Sequence, residues 1–121
     1  MKFYRCSICG RVEVLNDEND NFICCGKLME ELKPRSADAS VEKHVPYCKI
    51  EDGKINVSVG EVLHPMSEEH YIVFIGQLVG SKFNKIDLVP NENPKATFEY
   101  VKGSKIYAYC NLHGLWKNSV K

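Results

Sequence analysis

Six cysteines and four histidines are the residues of this 121-residue chain best suited to chemistry, and they fall in clusters. Cys6 and Cys9 form a Cys-x-x-Cys pair, and Cys24 and Cys25 follow as immediate neighbours. Cys110 and His113 make a Cys-x-x-His. His44, His64 and His70 occupy the middle of the chain, and Cys48 stands alone. Thiolates and imidazoles at such spacings bind transition metals. The two groups are separated by Pro34-Arg35-Ser36-Ala37-Asp38-Ala39-Ser40, a small, polar stretch with no apolar periodicity that reads as a linker.

In the head, Cys6-Ser7-Ile8-Cys9-Gly10 has the form of a metal knuckle. The two-residue gap lets both sulfurs face one ion, and Gly10 frees the backbone to turn beneath them. Cys24-Cys25-Gly26 is the pair available to complete the tetrahedron. Neighbouring side chains diverge, so chelation by both should strain the local backbone. Spacing alone favours a structural zinc that staples a segment too small for its own core. A one-iron thiolate centre carrying an electron satisfies the same donor set. A disulfide pair is a third choice and fits a reducing compartment poorly.

The body offers more. Cys110-Asn111-Leu112-His113-Gly114 places a thiolate and an imidazole three positions apart after a strand. His64-Pro65-Met66-Ser67-Glu68-Glu69-His70 cannot bring its two imidazoles together if extended, since six residues would part them by about 20 Å. A helix would leave them well out of line. Pro65 and the acidic residues favour a loop that curls both round. His44 lies in Glu42-Lys43-His44-Val45-Pro46, where Pro46 holds Val45 extended. A lone histidine is ordinarily a surface or hydrogen-bonded residue, but four in these contexts point to a shared site. Zinc stops at four protein ligands, whereas four imidazoles and one thiolate suit a five-coordinate iron with its sixth position open.

The elements that must position these residues read as almost all β. Ile55, Val57 and Val59 alternate with Lys54, Asn56 and Ser58; Ala96, Phe98 and Tyr100 alternate with Thr97 and Glu99. His70-Tyr71-Ile72-Val73-Phe74-Ile75 and Ile106-Tyr107-Ala108-Tyr109 are further strands, rich in β-branched and aromatic residues. Turns fall at Glu51-Asp52-Gly53, Val79-Gly80-Ser81, Pro90-Asn91-Glu92-Asn93-Pro94 and Lys102-Gly103-Ser104. This spacing predicts a small antiparallel sandwich. Cys48 reads as a buried strand residue, and Trp116 as a core residue beneath the Cys110–His113 turn. Tyr107 and Tyr109 read as ordinary strand residues.

Composition excludes several classes. Sixteen Lys and Arg against 16 Asp and Glu give zero net charge, which argues against a nucleic-acid binder working through a basic face. No apolar run approaches the roughly 18–20 residues of a membrane span. The start, Met1-Lys2-Phe3-Tyr4-Arg5-Cys6, lacks an apolar signal core, so a cytoplasmic location is expected.

Taken together, Cys6-x-x-Cys9 with Cys24-Cys25, Glu42-Lys43-His44-Val45-Pro46, His64-Pro65-Met66…His70 and Cys110-Asn111-Leu112-His113-Gly114 resemble the desulfoferrodoxins, two-iron superoxide reductases. The resemblance covers nearly the whole chain. It implies a desulforedoxin-like, rubredoxin-type domain over residues 1–35 and an immunoglobulin-like antiparallel β-sandwich over residues 36–121. It replaces the zinc reading of the head with a distorted iron site on Cys6, Cys9, Cys24 and Cys25. In the body it implies a second, square-pyramidal ferrous centre, with His44, His64, His70 and His113 equatorial and Cys110 axial.

The activity so implied is one-electron reduction of superoxide to hydrogen peroxide. A small electron donor such as rubredoxin would re-reduce the iron, and a homodimer is the implied assembly. A neutral molecule cannot draw an anion by bulk charge, so Lys43, beside His44, becomes the steering cation and the organiser of protons. Glu42 would bind the oxidised iron after product leaves. Two other classes compete with this reading: an iron protein that only carries electrons, and a zinc-stabilised β-sandwich binding module. Neither needs an open position at a five-ligand site.

Overall fold

The computed structural model describes residues 2–15, 23–35, 44–59 and 65–120, and all regular elements among them are β-strands. No helix of the described residues is long and apolar enough to cross a membrane. The chain divides into two units, Met1–Lys33 and Pro34–Lys121.

In the first unit, β1 (Lys2–Arg5) is the middle strand of an antiparallel sheet, between β2 (Val12–Leu15) and β5 (Glu30–Leu32). Two short strands, β3 (Ile23–Cys24) and β4 (Lys27–Leu28), pair as a hairpin with Ile23 opposite Leu28 and Cys24 opposite Lys27. Only Cys25 and Gly26 join them, and both have positive φ, 55° and 74°. That is the requirement of a type I′ turn. The strain expected of adjacent cysteines is thus localised at Cys25, a non-glycine residue in the left-handed region, at a cost of about 1–2 kcal/mol.

The second unit contains two antiparallel sheets. One has the order β10 (Lys95–Glu99), β7 (Lys54–Val59), β6 (Pro46–Glu51); the other β12 (Gly114–Ser119), β11 (Lys105–Cys110), β8 (Ile72–Val79), β9 (Lys82–Asp87). β7 shows the period of a half-buried strand, with Ile55, Val57 and Val59 buried while Lys54 and Asn56 face solvent. Those three residues meet Ile72 and Ile75 of β8, Phe98 of β10, and Ile106, Ala108 and Cys110 of β11 in one core, as a sandwich requires.

Two strands differ in extent from the sequence reading. β8 begins at Ile72, because Ser67 and His70 close a reciprocal backbone turn that holds His70 in a loop. β10 ends at Glu99, where the Tyr100 N–H leaves the ladder and donates to the Gly53 carbonyl. The register of β8 against β11 shifts between Tyr109 and Cys110: Tyr109 faces Phe74, but Cys110 faces Ile72. Val73 is the extra residue of a β-bulge. Such bulges re-aim side chains beside functional sites, and this one turns Ile72 onto the core face to meet Cys110.

Candidate metal centres

The head brings the four predicted thiols together. The ligand atoms of Cys6, Cys9, Cys24 and Cys25 all lie within 4.8 Å of one another. The Cys6 sulfur accepts the backbone N–H groups of Ile8 at 3.4 Å and Cys9 at 3.5 Å, as the first sulfur of a knuckle does. The knuckle closes through Gly10 N–H to Cys6 O at 3.0 Å and Cys6 N–H to Arg11 O at 2.8 Å. Cys9 and Cys24 sulfurs are 3.7 Å apart, those of Cys24 and Cys25 3.9 Å.

These contacts sort the thiols electrostatically. The amide hydrogens of Cys9 and Ile8 pull Cys6 down to about 6, so it is a thiolate at neutral pH. Cys24 is pushed up to about 12, chiefly by its thiol contacts with Cys9 and Cys6, and Cys25 is raised too, first by its contact with Cys9. Raised thiols such as Cys24 and Cys25 give up their protons when a cation binds the cluster. Four sulfurs in this arrangement fit iron or zinc.

The body centre is built from three places in the chain. The ligand atoms of His44, His70, Cys110 and His113 lie within 4.8 Å of one another. His44 lies two residues before β6, His70 closes the turn before β8, Cys110 ends β11, and His113 stands in the tight turn into β12. His44 Nε2 and His113 Nδ1 are 3.0 Å apart, and the Cys110 sulfur is 3.8 Å from the same Nδ1. The His70 and His113 rings meet edge-on at 5.0 Å. Glu42, Lys43 and His64 lie outside the described residues.

Burial raises the Cys110 thiol, and the backbone N–H groups of Leu112 and His113 oppose that shift. Burial first, then the neighbouring His113 and His44, lowers His70, which favours the neutral imidazole a metal needs. A fully enclosed sulfur with imidazoles converging on it fits iron, to which Cys110 would be a strong electron donor.

Two residues that the sequence reading passed over hold this constellation. Asn111 clamps the loop around His70: its Oδ1 accepts the Tyr71 N–H at 2.9 Å, its Nδ2 donates to Glu69 O at 3.0 Å, and its own N–H donates to Tyr71 O at 3.2 Å. The local signal was its place inside the Cys-x-x-His turn. Arg35, read as linker, instead forms a parallel bridge to Trp116 and donates from Nη2 to the His113 carbonyl at 2.6 Å. Nothing in its own neighbourhood marks it. Trp116 is buried as expected, donates Nε1 to the same carbonyl at 3.2 Å, and stacks on His44 with centroids 5.0 Å apart. Cys48 lies on a strand as expected, β6, but is half-buried rather than buried, packing against the edge of the core.

Comparison with known proteins covers both units. The family described as Desulfoferrodoxin matches residues 36–119, and the family described as Desulfoferrodoxin, N-terminal domain, matches residues 1–32. The chain is 41% identical over 120 residues to a desulfoferrodoxin of Syntrophotalea carbinolica, spanning 98% of this chain and 95% of that relative. It is also 41% identical over 107 residues to a superoxide reductase of Pyrococcus horikoshii, spanning 72% of this chain and 93% of that protein. In fold it resembles the crystal structure of the superoxide reductase from Treponema pallidum, with a TM-score of 0.79 at 23% identity over 97% of this chain and 95% of that one.

Proposed function

The chain belongs to the desulfoferrodoxin family, and from that premise we propose that it is a superoxide reductase. It takes superoxide to hydrogen peroxide at the body centre, with a second iron in the head. The observation that carries this reading is the convergence of His44, His70 and His113 on the buried sulfur of Cys110. His64 completes the ligand set in this reading. A purely structural ion needs no such asymmetry of one enclosed thiolate against several imidazoles.

Iron held there by His44, His64, His70, Cys110 and His113 would supply the one electron that, with two protons from solvent, takes superoxide to hydrogen peroxide. The protein's part is to prepare the site for an anion. Cys110 donates electron density from within the core, and its enclosure keeps water and oxidants from the sulfur. The N–H groups of Leu112 and His113 moderate that donation, since both favour charge on the sulfur itself. Asn111 fixes the His70 loop against the Cys110–His113 turn, so the imidazoles meet the ion without reorganising. Lys43 attracts the substrate and orders the water that delivers protons. Glu42 would be a further carboxylate ligand for the iron in its oxidised state.

Electrons come from a small redox protein such as rubredoxin. Cys9 and Cys25 are exposed, which gives a donor short access to the head. Exposed Ile8, Ile23 and Leu28 in the same unit support a homodimer formed through apolar contact, which sedimentation would test. Six free thiols support residence in the reducing cytoplasm.

Metal analysis and pulse radiolysis of the reduced, full-length protein test the function. Two irons per chain and one hydrogen peroxide per superoxide consumed are expected. Zinc in both sites, or the one-to-two stoichiometry of dismutation, would overturn it.

A further inference from the structure

The body centre carries a cation at its edge that the ligand pattern does not contain. Arg35 stands 78 positions before His113, yet its Nη2 donates to the His113 main-chain oxygen at 2.6 Å. Its guanidinium carbon lies 4.3 Å from the centre of the Trp116 ring. Trp116 donates to the same carbonyl and stacks on His44, so one indole touches the Arg35 guanidinium and a ligand imidazole. The main chain is fastened as well: Arg35 N–H donates to Leu115 O at 3.0 Å, and Lys117 N–H donates to Arg35 O at 2.8 Å.

A solvent-exposed arginine ordinarily samples many rotamers and its charge acts only on average. Arg35 is exposed, but it is held by its backbone, by a ring face and by its fork. Its charge therefore has a fixed address. The chain as a whole offers an anion nothing, because its formal net charge is zero. At physiological ionic strength charges act over about 8 Å, so only a cation beside the centre can matter. A charged donor also polarises the His113 peptide more than a neutral one would.

We propose that Arg35 is a positioning residue that holds the His113 turn and sets a fixed positive charge beside the body centre, favouring the ferrous state and the approach of the anionic substrate. The substrate part of this inference rests on the superoxide reductase reading; the charge-setting part does not.

The test uses the full-length, iron-loaded chain as wild type, Arg35→Gln and Arg35→Lys. Potentiometric titration follows the body centre, with the head centre as internal reference. Pulse radiolysis over a series of salt concentrations follows superoxide. Arg35→Gln should lower the body potential and leave the head potential unchanged. Its rate at low salt should fall roughly threefold and depend less steeply on salt. Arg35→Lys should restore the potential and the salt slope, because it keeps the charge. A Gln variant with wild-type potential and salt slope, even with a lowered melting temperature, would reduce Arg35 to a structural contact and overturn the proposal. If the wild-type chain consumes no superoxide, the functional reading fails, while the two potentials still decide the charge-setting role.

Discussion

At the scale of single residues, the body centre depends on side chains that never touch its ion. Asn111 makes three hydrogen bonds to residues flanking His70, and two come from one carboxamide. Asn111→Ala should remove about 1–2 kcal/mol of loop stabilisation and weaken metal binding at the body centre by about tenfold, as loss of an outer support does. Competition with a chelator checks this, with the head metal unchanged. Cys48 gives a separate expectation, since burial raises its thiol to about 11. The raised value withdraws stability as pH climbs from the ordinary thiol range toward 11, because the unfolded chain ionises first. With the other five cysteines held by metal, alkylation by iodoacetamide should be slow at pH 9 and accelerate up to about pH 11. Acceleration complete by pH 9 would contradict the burial of this sulfur.

At the scale of elements, the strands and turns were legible where the pattern is local. The alternation in β7 and the turn at Asp52-Gly53, both with positive φ, follow from composition over a few residues. The cysteine knuckle and the Cys110–His113 turn were legible for the same reason. The Val73 bulge was not, because it arises from the pairing of β8 with β11, and no single strand's sequence contains a register. Arg35 was illegible in the same sense: its partners at 113, 115 and 116 come from the far end of the chain. Gly76 is another position set by its neighbours. A Cβ there would lie 2.2 Å from the Phe83 ring, which also packs on Phe74 and Tyr107. Gly76→Ala should displace that ring and cost about 1–3 kcal/mol, read as a lower denaturant midpoint with an unchanged iron spectrum.

At the scale of the whole molecule, the two units differ in what holds them. The second buries a continuous apolar core between its sheets. The first comprises Met1–Lys33 and gathers its four thiols instead, a size at which a core alone does not suffice. Removal of metal should therefore unfold the head while the sandwich keeps its strands. Far-ultraviolet dichroism should retain most of its β signal after chelation, and amide exchange should become fast across residues 2–15 and 23–33. Protection persisting there without metal would show that the head folds on its own. Acid should have the same order of effect, because protons compete with the metal for the head thiolates and loosen that unit before the sandwich.

The stack of Trp116 on His44 has a practical consequence. Trp116 is the chain's single tryptophan, so ultraviolet excitation at its red edge addresses one indole only, and that indole lies against a ligand of the body centre. Its emission is a built-in lamp for that centre, dimmed by energy transfer into whichever iron absorption overlaps it. Loading, oxidation and reduction there can be followed in time without a label, and without interference from any other indole.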